Sequence, residues 1–128
     1  MSSFSHILSD IRSLTIQGAH AIALAGLEAL EAAHREGIDL DVAREQLFCA
    51  RPTEPYLRNA VNYVLYDAAA LSRRIKEAKK VLLEGHRHVC EYGAHKIRAG
   101  MVVYTHCHSS TVVGVLAQAC DEGRRFRV

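Results

Sequence analysis

The sequence predicts a mainly α protein: an amino-terminal helical bundle over residues 1–98, followed over residues 99–128 by the first β-α-β unit of an incomplete α/β domain. Three observations carry this reading. Apolar residues recur every three or four positions from Phe4 to Ile97, the period of a helix with one buried face. Met101-Val-Val-Tyr104 is a short apolar run, rich in β-branched residues and entered through Gly100, which favours a buried strand. After it, a serine-capped apolar helix ends at Gly123, and Phe126 and Val128 begin a second extended segment.

Taken in order, Phe4, Ile7, Leu8, Ile11 and Leu14 predict a first helix ending near Thr15. Gln17-Gly18-Ala19-His20 opens an alanine-rich second helix that runs to about Glu36, with Gly37 as its stop. A third helix spans about Asp39 to Ala50, capped by Asp39 or Asp41. It must end there, because Pro52 disfavours helical geometry at Arg51, and Pro55 follows to make Arg51–Pro55 a rigid connector. A fourth helix is predicted from about Pro55 to Asp67, and a fifth from about Ala70 to Ile97. Gly85 and Gly93 lie inside the fifth and mark possible kinks.

Composition narrows the function classes. At 128 residues, 49% hydrophobic and 23% charged, the chain is long enough for a real core and is composed like a globular protein. No apolar run approaches the roughly 20 residues of a membrane span, and the amino terminus lacks the pattern of a signal peptide, so a cytoplasmic location is expected. The four cysteines form no Cys-x-x-Cys pair, which argues for reduced thiols. A net charge of +2 gives no basis for direct nucleic-acid binding. Arg73, Arg74, Lys76, Lys79 and Lys80 read as the solvated side of a helix.

The chemistry concentrates at Thr105-His106-Cys107-His108-Ser109, a turn between strand and helix. Ligands of open α/β sheets bind at the carboxyl ends of strands, and a helix amino end attracts anions such as phosphate. Cys107 is read either as a buried structural thiol or as a reactive group. Arg51 is read either as a cation complementing a helix end or as a bidentate phosphate ligand. Tyr56, Tyr63 and Tyr66 read as residues at the rim of the core. His86 and Cys90 share a helix face at i,i+4 spacing, yet no carboxylate pair completes a metal set, so neither a metal nor a cofactor is expected.

Three blocks resemble one family: archaeal ribose-1,5-bisphosphate isomerase, 5-methylthioribose-1-phosphate isomerase, and the alpha, beta and delta subunits of translation initiation factor 2B. Ile16-Gln17-Gly18-Ala19 is similar to that family's Ile-Arg-Gly-Ala. Arg51-Pro52-Thr53 with Leu57 and Asn59-Ala60 forms the second block. Tyr92-Gly93-Ala94 and Ile97, leading through Gly100 into Thr105–Ser109, form the third, which is nearest the archaeal isomerase branch.

The resemblance implies a helical amino-terminal domain leading into a Rossmann-like domain through which oligomers form. It further implies that Cys107 works with an aspartate of the later domain to interconvert an aldose phosphate and a ketose. Gly18, Arg51, His108 and Ser109 are then expected to line the site for a phosphorylated sugar or nucleotide-like molecule. Two departures bear on activity: Gln17 replaces an arginine, and the chain stops before the family's aspartate and asparagine-lysine pair. Since aldose–ketose isomerisation needs a second acid–base group, the chain is expected to be inactive alone and to work with further copies or a separate carboxyl-domain chain. The alternative expectation is a non-catalytic regulatory or assembly module of the initiation-factor type.

Overall fold

A computed structural model describes residues 2–107 and 109–128. It contains helices α1 (Phe4–Arg12), α2 (Ala19–Arg35), α3 (Leu40–Ala50), α4 (Pro55–Leu65), α5 (Leu71–Ala94) and α6 (Ser110–Asp121), with a short 3-10 turn, Ala68–Ala70, before α5. The chain divides into two compact units, Met1–Leu82 and Leu83–Val128, each described by itself below.

In the first unit, α2 packs on α1, α3 and α4. Its alanines and Gly26 allow close approach, and Ile11, Ile22, Leu27, Leu30, Leu47, Leu57, Val61 and Val64 are its largest fully buried side chains. Several helix ends are closed by a local device. Ser3 Oγ accepts from His6 N–H to cap α1, and Asp39 Oδ1 accepts from the amides of Asp41 and Val42 at 2.9 and 3.0 Å to cap α3. Pro55 occupies the first turn of α4, where its missing N–H costs nothing. At the end of α2, Gly37 N–H donates to His34 C=O and Ile38 N–H to Ala33 C=O, a Schellman closure that needs the left-handed Gly37 (φ 72°). The Phe4 amide donates to Glu36 Oε1 at 3.1 Å, tying the start of α1 to the end of α2.

Several boundaries differ from expectation. Helix α1 stops at Arg12, and Leu14 is not on its buried face: it is 49% exposed and left-handed, with φ 65°. Helix α4 stops at Leu65, where Arg74 Nε donates to Tyr63 C=O and its guanidinium lies 4.4 Å from the Tyr63 ring centroid. Tyr66 is 88% exposed rather than at the rim of the core. Helix α5 runs without a break through Gly85 and Gly93 and ends three residues before Ile97.

In the second unit, the latter part of α5 packs on α6 through two glycines. A Cβ built at Gly93 would stand 2.6 Å from Val115 Cγ2, and one at Gly114 would stand 2.6 Å from Cys90 Sγ. Ala94, Ile97 and Ala119 form the small core, with Val103, Val115, Leu116 and Phe126 against it. Gly123 (φ 79°) and Arg124 close α6 with a second Schellman pair, donating to Cys120 C=O and Ala119 C=O. The predicted strands are not formed as a ladder. Among the described residues there is a single parallel bridge, Val102 to Arg127, supported by Gly100 N–H to Arg125 C=O, Arg127 N–H to Met101 C=O and Val103 N–H to Arg127 C=O. The physical reason is that two short parallel segments, uncovered on their faces, bury too little to extend. Val102 and Tyr104 are 65% and 91% exposed.

Candidate functional site

The amino ends of α2 and α4 lie together in the first unit. The His20 and Tyr56 rings, each in the first turn of its helix, have centroids 6.2 Å apart and are tilted by 42°. Farther along α2, Gly26 faces Leu57 and Val61 of α4. Gly18 begins α2 in a conformation, φ 86° and ψ 134°, that suits glycine, and no side chain caps the helix. The amides of that first turn are therefore open to an anion, and no acidic residue occupies the turn. The start of α4 is different, because a Glu54 carboxylate oxygen already accepts from Tyr56 N–H at 3.3 Å.

Arg51 closes α3, its amide donating to Leu47 C=O, and its half-buried side chain has no ion-pair partner among the described residues. The neighbouring Arg58 is otherwise engaged. It lies 4.5 Å above the Phe48 ring and donates to Pro52 C=O at 3.2 Å, which braces the connector that carries Arg51. Gln17 donates its amide to Leu14 C=O at 2.7 Å, so it supports the preceding turn. The basic side of α5 is likewise committed in part: Arg73 pairs with Glu77 at 3.0 Å and Lys79 with Glu31 at 3.2 Å.

In the second unit, Cys107 lies in the turn before α6 and is exposed, which removes the reading of it as a buried thiol. It is left-handed, φ 53°, a conformation costly for a residue with a Cβ and one that clusters at functional turns. Ser109 Oγ accepts from Val112 N–H at 3.4 Å and so caps α6. His108 lies outside the described residues. Cys90 Sγ is 3.7 Å from His86 Nε2, and no group of three His, Cys, Asp or Glu side chains among the described residues could hold a metal.

The structure thus places Gly18 and Arg51 in the first unit and Cys107 and Ser109 in the second. Sequence reasoning named His20 and Tyr56 but did not bring them together. Their shared signal was position, since each stands in the first helical turn beside a singled-out motif.

The first unit is thus a set of packed helices with an uncapped helix amino end, and the second carries an exposed thiol in the turn before α6. The chain belongs to the Initiation factor 2 subunit family, whose model matches residues 15–128. Ribose 1,5-bisphosphate isomerase of Archaeoglobus fulgidus is 34% identical over 92% of this chain and 42% of its own length. That of Pyrococcus furiosus is 31% identical over 95% and 45%. A putative methylthioribose-1-phosphate isomerase of Methanothermobacter thermautotrophicus is 29% identical over 98% and 42%. The chain therefore spans less than half the length of these relatives. A crystal structure of translation initiation factor eIF-2B, subunit delta, from A. fulgidus shares the fold, with TM-score 0.67 over 100% of this chain and 46% of that one at 24% identity. No helix among the described residues is long and apolar enough to cross a membrane.

Proposed function

We propose that the chain is the amino-terminal part of a sugar-phosphate isomerase of the ribose-1,5-bisphosphate type, acting in the cytoplasm. The observation that carries this is the match to two ribose 1,5-bisphosphate isomerases at 31–34% identity over more than nine-tenths of the chain. Under this reading, Gly18 and Arg51 of the first unit receive a phosphate through open amides and a guanidinium. In the second unit, Cys107 exchanges a proton with the sugar, while His108 and Ser109 bind the substrate's phosphate.

Residues 99–128 are then the start of a Rossmann-like domain, with the Val102–Arg127 bridge as its first strand pairing and residues 1–98 as the helical domain before it. Aldose–ketose isomerisation takes a proton from one carbon and returns one elsewhere, which a single thiol does poorly without a second acid–base group. That group is supplied by polypeptide equivalent to the relatives' remaining half, and turnover depends on it. The position of Gln17, bonded back to Leu14, favours a second reading: a non-catalytic regulatory or assembly module with a weakened phosphate grip.

Assaying conversion of ribose 1,5-bisphosphate by this chain, alone and with the carboxyl-terminal half of an archaeal relative, separates the two. Turnover only in the mixture supports the enzyme. No turnover in either arm, with both polypeptides folded and associated, supports the module.

A further inference from the structure

We infer that Arg58 is a positioning residue that acts through Arg51, by holding the backbone from which the Arg51 side chain projects. The inference rests on the reading that Arg51 receives a phosphate of the substrate. Arg51 leaves α3 with φ −140° and ψ 78°, outside helical geometry. Its own backbone bonds are weak: its N–H donates to Leu47 C=O at 3.3 Å and its C=O accepts from Glu54 N–H at 3.3 Å, both long for such bonds. Pro52, which follows it, has no N–H to anchor the chain.

Arg58, in the first turn of α4, supplies the missing hold. Its Nε donates to Pro52 C=O at 3.2 Å, and its guanidinium lies 4.5 Å from the ring centroid of Phe48. Phe48 stands on the last turn of α3 and Pro52 directly follows Arg51, so one guanidinium grips the chain on both sides of it. The Phe48 ring is 9% exposed and set in the core, which makes it a fixed anchor and strengthens the cation–π contact. A planar guanidinium stacks on a ring and donates from its edge at once, which an ammonium does not. Fixing the root of the Arg51 side chain lowers the entropy lost when that side chain grips an anion.

The test is calorimetric titration of ribose 1,5-bisphosphate into the full chain and its variants, with circular dichroism as a check on folding. Arg58→Ala is expected to weaken binding about three- to tenfold, the scale of ordering one long side chain. Arg58→Lys, the milder change, keeps the charge and is expected to weaken binding as much, because it loses the stacked fork. In an Arg51→Ala background, Arg58→Ala is expected to weaken binding no further, since its effect passes through Arg51. Amide hydrogen exchange reads the same hold without ligand: Glu54 N–H, bonded to Arg51 C=O, is expected to exchange faster in both Arg58 variants. Additive losses in the double variant, full affinity in Arg58→Lys, or unchanged exchange at Glu54 overturns the positioning role. Wild-type affinity in Arg58→Ala alongside weakened binding in Arg51→Ala overturns the inference and leaves the underlying reading intact. No binding by wild type, or none of it lost in Arg51→Ala, overturns the reading and the inference together.

Discussion

Gly93 faces Val115 so closely that a methyl group at 93 would stand 2.6 Å from Val115 Cγ2 and 3.0 Å from Cγ1. Valine is stiff at χ1 and has no flexible end to withdraw, so the α5–α6 crossing depends on the missing side chain. Gly114 repeats the arrangement against Cys90.

Gly93→Ala and Gly114→Ala are therefore expected to destabilise the second unit by about 1–3 kcal/mol, the cost of overpacking exceeding the gain in helix propensity. Gly85 meets nothing within 4 Å, so Gly85→Ala is expected to stabilise the same helix by about 0.5–1 kcal/mol. Denaturant unfolding of the three variants, followed by circular dichroism, checks the opposite signs. Equal effects at Gly93 and Gly85 would contradict the close crossing.

Leu14 and Cys107 are the two non-glycine residues with positive φ among the described residues. Leu14→Gly, at an exposed position, should raise stability by about 0.5–1 kcal/mol, since relief of left-handed strain exceeds the entropy glycine loses. Cys107→Gly should give a similar gain while removing the proposed reacting thiol, so that stability rises as turnover disappears. Thermal unfolding of both variants measures the first effect, and a fall in melting temperature for both would refute the strain.

Glu122 is expected to make the second unit sensitive to acid. Gln118 Nε2 donates to its carboxylate at 2.8 Å, and this bond, with the charges of Arg124 and His95, holds its pKa below the ordinary glutamate range against a smaller desolvation effect. A carboxyl depressed in the folded state contributes stability that is fully present above its unfolded pKa and lost as pH falls through the folded one. Arg124 also donates to Ala94 C=O at 2.6 Å, joining the ends of α6 and α5. Unfolding followed from neutral to acid pH should therefore show less acid-range loss in Glu122→Gln than in wild type. An unchanged profile would mean that the contact contributes nothing.

Much of the helical architecture was legible because its signals are local. The period of apolar residues located five of the helices, and Asp39, Pro55, Gly37 and Gly123 marked their ends. What escaped depends on contacts between distant residues. Nothing near Gly93 in the sequence announces Val115, so its glycine read as a possible kink when it is a packing surface. Leu14 fitted the apolar period although the helix had already ended. The strand at Met101–Tyr104 was overestimated because its β-branched run carries propensity but a parallel pair needs neighbours. In the candidate site, the turn character of Gly18 and Cys107 was readable from motif, whereas the meeting of His20 and Tyr56 joins residues 36 positions apart through the packing of α2 on α4.

The proposed role of Cys107 is tested most directly by its isosteric replacement. Conversion of ribose 1,5-bisphosphate should be measured for wild type and Cys107→Ser, each complemented with the carboxyl-terminal half of an archaeal relative and matched for folding by circular dichroism. Loss of turnover by at least about a hundredfold, the scale of a lost acid–base group, is the expected result. A Cys107→Ser rate near that of wild type would contradict the account.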